Sequence, residues 1–219
     1  MIDLNHWTQA FLDALDVSFP GRVWFVGLQG SYGRGEATEH SDIDMVVVLD
    51  RVSPEDLLEY RRMLEGLPHR EKQCGFLSGR EELENWDPGD LFQLYFDTTP
   101  IRGSLDGIRP MLDERAVDRA IKMGVCNIYH GCVHNMLYGR SENVLQGLYK
   151  ATSFVVQAIC YREHGVYVRN LNDLSGMLST DDQQIVDDFR KMKAGESFEP
   201  DEASGRLFQW AKGWIDRIP

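Results

Sequence analysis

The sequence predicts an α+β protein, an N-terminal α/β unit followed by an all-helical half. Two short apolar runs, 22–28 and 42–49, flank a turn rich in Gly and Ser, which reads as strand–turn–strand. From Asp113 onward the character changes, with long segments that hold apolar residues at helical spacing and contain no proline. A chain of 219 residues, 42% hydrophobic and 26% charged, has the composition of a globular protein and room for two small cores. The boundary is expected near Arg109-Pro110, giving domains 1–110 and 111–219.

Taken in order, residues 3–17 place Trp7, Phe11, Ala14 and Leu15 on one helical face, and Pro20-Gly21 ends that helix. The first strand is 22–28. Residues 31–41 form a turn with room for a short helix, and the second strand, 42–49, is apolar enough to be central in a covered sheet. Ser53-Pro54-Glu55-Asp56 starts a helix: a capping Ser, Pro in the first turn, then acids favoured by the helix dipole. Leu57, Leu58, Met63, Leu64 and Leu67 give it an apolar face up to Pro68. A strand over 71–78 and a short helix over 80–86 follow. The aromatic run Leu91–Thr98 fits either a strand or a helix end, and an extended stretch with Pro100 and Gly103 leads on to Pro110. Helices are expected over 113–138 and 142–163, broken at Gly139-Arg140-Ser141, with shorter ones at 171–177, 181–192 and 201–217.

The formal net charge is −12, and Lys and Arg are dispersed, so long nucleic acid is not an expected partner. An acidic surface better suits a small or cationic second substrate, such as an amino sugar. No apolar window is long enough for a membrane span, and the N-terminus lacks the basic region of a secretory signal. Cys74, Cys126, Cys132 and Cys160 show no CxxC spacing and read as reduced thiols of a cytoplasmic protein.

The chemistry concentrates in Val23–Asp50, VWFVGLQGSYGRGEATEHSDIDMVVVLD. Side chains alternate faces along a strand, so Asp42 and Asp44 project together while Ile43 and Met45 face the other way. Two like charges side by side call for a cation. Magnesium, a hard ion that takes carboxylate and phosphate oxygens together, is the natural one, which points to phosphoryl or nucleotidyl transfer. Gly30-Ser31, followed by Gly33 and Gly35, allows a tight turn and close backbone approach to a ligand. The Ser31 hydroxyl and backbone N–H groups of that turn suit a terminal phosphate, and Arg34 is placed either to reach a phosphate or to face solvent.

Gly30-Ser31, the spacer Tyr32–Ser41 and Asp42-Ile43-Asp44 entering the apolar run Met45–Val48 resemble the nucleotidyltransferase superfamily, which has a polymerase-β-like fold and includes the antibiotic nucleotidyltransferases. The resemblance implies a small mixed sheet with helices, followed by an all-α helical-bundle domain that binds the acceptor. It implies transfer of a nucleoside monophosphate, AMP by preference, from ATP or another NTP to a hydroxyl of a small acceptor, aminoglycoside-like or otherwise. It implies two Mg2+ ions on Asp42, Asp44 and a third carboxylate from a later strand, since two ions need more oxygens than one Asp pair provides. Glu71 opens the following strand but has polar neighbours, and Asp97 has an apolar run before it but falls late, so both stand as candidates. A helical C-terminal half in such proteins can also close the cleft across a homodimer.

Other features carry less. His130 and His134, at i and i+4 on an expected helix, have zinc-compatible spacing but no accompanying third ligand, and packing roles are expected. The stretch Tyr161–Arg169 resembles the segment with which accessory domains of antibiotic nucleotidyltransferases close over substrate, and equally fits a helix end with stacked aromatics. Tyr149 and Lys150 are further cleft-lining candidates. A second functional reading is a nucleotidyltransferase-like regulatory or antitoxin-type protein that acts on or binds a protein partner.

Overall fold

A computed structural model describes residues 2–174 and 176–218. Two compact units share the chain: Met1–Asp87 with Asp97–Arg109, and Pro88–Phe96 with Pro110–Pro219. No helix among the described residues is long and apolar enough to cross a membrane.

The first unit is built on a four-stranded mixed sheet. Strands β1 (Val23–Gln29), β2 (Ile43–Leu49), β3 (Gln73–Gly79) and β4 (Thr99–Arg102) lie in the order β3-β2-β1-β4. β1 pairs antiparallel with β2 and β4, and β2 pairs in parallel with β3. The parallel connection runs through helix α3 (Pro54–Glu65), as parallel strands require a crossover. Helix α1 (Leu4–Ser18) packs on α3. Trp7, Phe11 and Leu15 of α1 join Val26, Leu28, Ile43, Met45, Val47 and Leu49 in one buried cluster. The intervening residues of β2, Asp44, Val46 and Val48, therefore face the other side of the sheet. The N-terminal end of α3 is fixed by the sequence around it. Ser53 and Asp56 form a reciprocal capping box, and Arg22 grips Asp56 at 2.6 Å and Asp50 at 2.9 Å. The Arg22 guanidinium beside Asp56 holds that carboxyl well below the usual carboxylate range.

Short helical segments complete this unit: α2 (Gly30–Gly33), α4 (Arg80–Glu84) and a 3-10 turn, Arg70–Lys72. One expectation is corrected here and two are made specific. The strand expected from residue 71 opens at Gln73, because Glu71 lies inside the 3-10 turn. The run Leu91–Thr98 resolves as helix α5 (Pro88–Asp97), whose Pro, Gly and Asp start it as a first turn. The extended stretch around Pro100 is the edge strand β4, a place where a residue without an N–H is tolerated.

The second unit is helical. Helix α6 (Glu114–His134) runs through a π-turn, Asn135–Gly139, into α7 (Glu142–His164); α8 (Thr180–Lys193) and α9 (Pro200–Arg217) follow. α6 packs on α7 and α9, α7 on α8, and α8 on α9. Its core holds a carboxylate: Asp182, 1% exposed, accepts hydrogen bonds from Trp210 Nε1 at 2.8 Å, Trp214 Nε1 at 3.0 Å and Ser179 Oγ at 2.5 Å. Replacing Asp182 with Ala strands two buried indole donors, so the variant should lose about 3 kcal/mol or more of unfolding free energy in a urea titration. Tyr149 is not a cleft residue. It is fully buried, donates to Ala203 O at 2.9 Å and to Asp188 at 3.3 Å, and burial pushes its phenol pKa up.

Candidate active site

The turn between β1 and β2 brings the motif residues together. Gln29, the last residue of β1, is the register partner of Asp44, so the chain enters the turn directly beside that carboxylate. Gly30 follows with φ +65°. A Cβ there would lie 2.0 Å from Asp44 Oδ2, so the carboxylate occupies the space that any other residue at position 30 would fill. Ser31 is half-buried in the short helix α2, and the turn closes on itself through Arg34 N to Gly30 O at 3.1 Å and Glu36 N to Ser31 O at 2.8 Å. Asp42 is exposed and Asp44 partly exposed, while Ile43 and Met45 between and beyond them are buried. Asp44 thus lies in the central strand β2 on the face opposite Ile43 and Met45, and Asp42 immediately precedes the strand.

Arg34 and Asp97 meet each other. Arg34 NH1 lies 2.9 Å and 3.2 Å from the two Asp97 oxygens, and Arg34 Nε lies 3.4 Å from Glu36. Asp97 is 3% exposed. Glu71 stands elsewhere: its side chain is 70% exposed, with His69 Nδ1 at 3.8 Å. β3, the parallel neighbour of β2, carries no carboxylate, and Cys74 is the register partner of Asp44. Lys72, just before β3, donates to Glu39 O and ties down the loop leading to Asp42. No group of three or more His, Cys, Asp or Glu side chains that could hold a metal ion occurs among the described residues.

Two hard oxygen donors flanking Ile43, with the Gly30 backbone drawn against one of them, fit a magnesium ion. Such ions are commonly held by one or two carboxylates, with water and substrate phosphate oxygens filling the remaining positions.

The residues of the second unit show packing. The rings of Tyr161 and Tyr167 lie 4.9 Å from Phe96 and 5.1 and 5.7 Å from Phe92. Arg169 Nε donates to Phe96 O at 2.6 Å, and Gln157 Nε2 donates to Val168 O and Arg169 O. The His130 and His134 rings are 6.4 Å apart. Lys150 is exposed. Two residues that sequence reasoning missed touch the turn and its start: Thr98 Oγ1 accepts from Gln29 Nε2 at 2.8 Å, and Thr99 Oγ1 donates to Gly33 O at 3.2 Å. Their signal lay in recognising β4, which four residues around a proline do not provide.

Comparisons with known proteins bear on the domain and the fold. Residues 11–87 match the family model of the nucleotidyltransferase domain. Among solved structures, spectinomycin adenyltransferase AAD(9) from Enterococcus faecialis, determined with ATP and spectinomycin, shares the fold with a TM-score of 0.61. The match covers 99% of each chain at 12% sequence identity. No curated protein shows significant sequence similarity to the chain.

Proposed function

We propose that this chain, whose residues 11–87 match a nucleotidyltransferase domain and whose fold is that of an adenyltransferase, transfers a nucleoside monophosphate from an NTP to a hydroxyl of a small acceptor. The observation that carries this reading is the Asp42–Asp44 pair at the entry to β2, with the Gly30 turn pressed against Asp44. Asp42 and Asp44 would hold Mg2+, which when bound neutralises charge on the phosphates. The Gly30-Ser31 backbone and hydroxyl bind the triphosphate. The acceptor oxygen bonds to the α-phosphorus as pyrophosphate leaves, a reaction in which positioning and charge stabilisation supply most of the rate. ATP is the preferred donor and an aminocyclitol or aminoglycoside the preferred acceptor class. The ATP and spectinomycin bound to the structurally similar adenyltransferase support both choices, and a net charge of −12 suits a cationic acceptor. Recognition of the acceptor is assigned to the helical half, residues 111–219.

The test uses ATP labelled at the α-phosphate, magnesium, and a panel of aminocyclitols and aminoglycosides. Label is expected to move to one or more acceptors with release of unlabelled pyrophosphate, and ATP labelled at the γ-phosphate should transfer none. Absence of transfer to any acceptor, with Asp42→Asn and Asp44→Asn indistinguishable from the parent in every assay, would sink the reading.

A further inference from the structure

We propose that Asp97 is a positioning residue, acting through Arg34, and that Asp97-Thr98-Thr99, leading into β4, is a splint holding the Gly30–Gly33 turn in its ligand-binding shape. This rests on the nucleotidyl-transfer reading and adds to it the part that keeps the phosphate turn in place. Three consecutive residues grip the turn from both ends. Thr98 holds Gln29 just before it at 2.8 Å, Thr99 holds the Gly33 carbonyl at its close at 3.2 Å, and Asp97 takes both oxygens to the Arg34 guanidinium that follows. The backbone of β4 is itself paired to β1 at Leu28–Thr99, so the grip is anchored in the sheet.

The turn needs such a splint. A helical segment of four residues with Gly at both ends does not hold itself together, because helix nucleation is unfavourable and Gly adds backbone freedom. The Arg34 and Asp97 side chains are 14% and 4% exposed, a depth at which a charge pair is screened little by solvent and its loss is felt by the segments it joins. With Asp97 and Glu36 both against its guanidinium, Arg34 has its positive charge neutralised by protein carboxylates. Its contribution to nucleotide binding is therefore the placement of the turn, and not direct pairing with phosphate.

The two roles predict opposite signs for one substitution. Asp97→Asn removes the counter-charge: it loosens the turn if Asp97 positions it, and frees Arg34 to bind phosphate more strongly if Arg34 is a ligand. Calorimetric titration with a non-hydrolysable ATP analogue and Mg2+ should show Asp97→Asn binding about tenfold more weakly, within the coupling range of residues in one network. KM for ATP should rise in step while kcat stays within about threefold. The double variant Arg34→Gln/Asp97→Asn should bind no more weakly than Arg34→Gln alone, since both changes break the same pair. Unchanged or tighter binding by Asp97→Asn overturns the proposal. Thr99→Val, a shape-conserving change that removes the bond to Gly33, should bind about threefold more weakly. A folded Thr99→Val protein with parental affinity also overturns it, including the case in which Asp97→Asn fails to fold. A parent protein that binds no nucleotide overturns the nucleotidyl-transfer reading, and this inference with it.

Discussion

Asp44→Asn is expected to lower kcat/KM for nucleotidyl transfer by about a thousandfold, near 4 kcal/mol of transition-state stabilisation, as loss of a charge-stabilising group in a preorganised site does. The substitution preserves shape, so the Gly30 backbone can still pack against the amide, but the formal charge that would hold a divalent cation is gone. Asp42→Asn should behave alike, because the two carboxylates flank Ile43 and neither has a third acidic neighbour among the described residues to take over. Asn keeps the shape of the side chain, so either variant is expected to fold and melt near the parental temperature. Calorimetric titration of Mg2+ in the presence of a non-hydrolysable ATP analogue separates lost metal affinity from lost folding. Parental activity within threefold in both variants would remove these carboxylates from the chemistry.

The legibility of this molecule divides along the range of the interactions involved. Strand, Gly-Ser turn and Asp-x-Asp lie in one contiguous segment, so the two strands and the turn that brings Gly30 beside Asp44 were legible in the sequence. The capping box before α3 and the long helices were readable for the same reason, being patterns closed within a few turns of chain. What stayed hidden depends on partners far away in sequence. Asp97 and Arg34 are 63 residues apart, and nothing in either neighbourhood announces that they pair. Asp97 was read as one of two candidates for a third carboxylate and Arg34 as reaching a phosphate or facing solvent, and neither reading contained the pairing of the two at 2.9 Å. Glu71 was placed one element too generously, since a 3-10 turn of three residues leaves no periodicity by which to exclude it from the strand. Tyr149 shows the same limit in the helical unit: its hydroxyl made it plausible at a cleft, and only α8 and α9, arriving later in the chain, bury it.

Gly30→Ala should reduce kcat/KM by at least about a hundredfold, as displacement of catalytic groups by about an ångström does. Two independent costs meet at this position. The backbone sits at φ +65°, where a Cβ costs about 1–2 kcal/mol. The Cβ would also lie 2.0 Å from Asp44 Oδ2, so the carboxylate, the backbone turn, or both must shift. Gly35 supplies the control: its φ is +71°, yet a Cβ there would meet nothing within 4 Å. Gly35→Ala should therefore lose about 1 kcal/mol of stability from backbone strain alone and keep most of its activity. Measured side by side, the two alanines separate the strain of a left-handed backbone from the displacement of Asp44. Equal stability losses with activity lost only at position 30 would show that the methyl acts on the carboxylate. Equal activity in both would mean that the contact between Gly30 and Asp44 is incidental, and that the turn tolerates a wider approach to its ligand than the geometry implies.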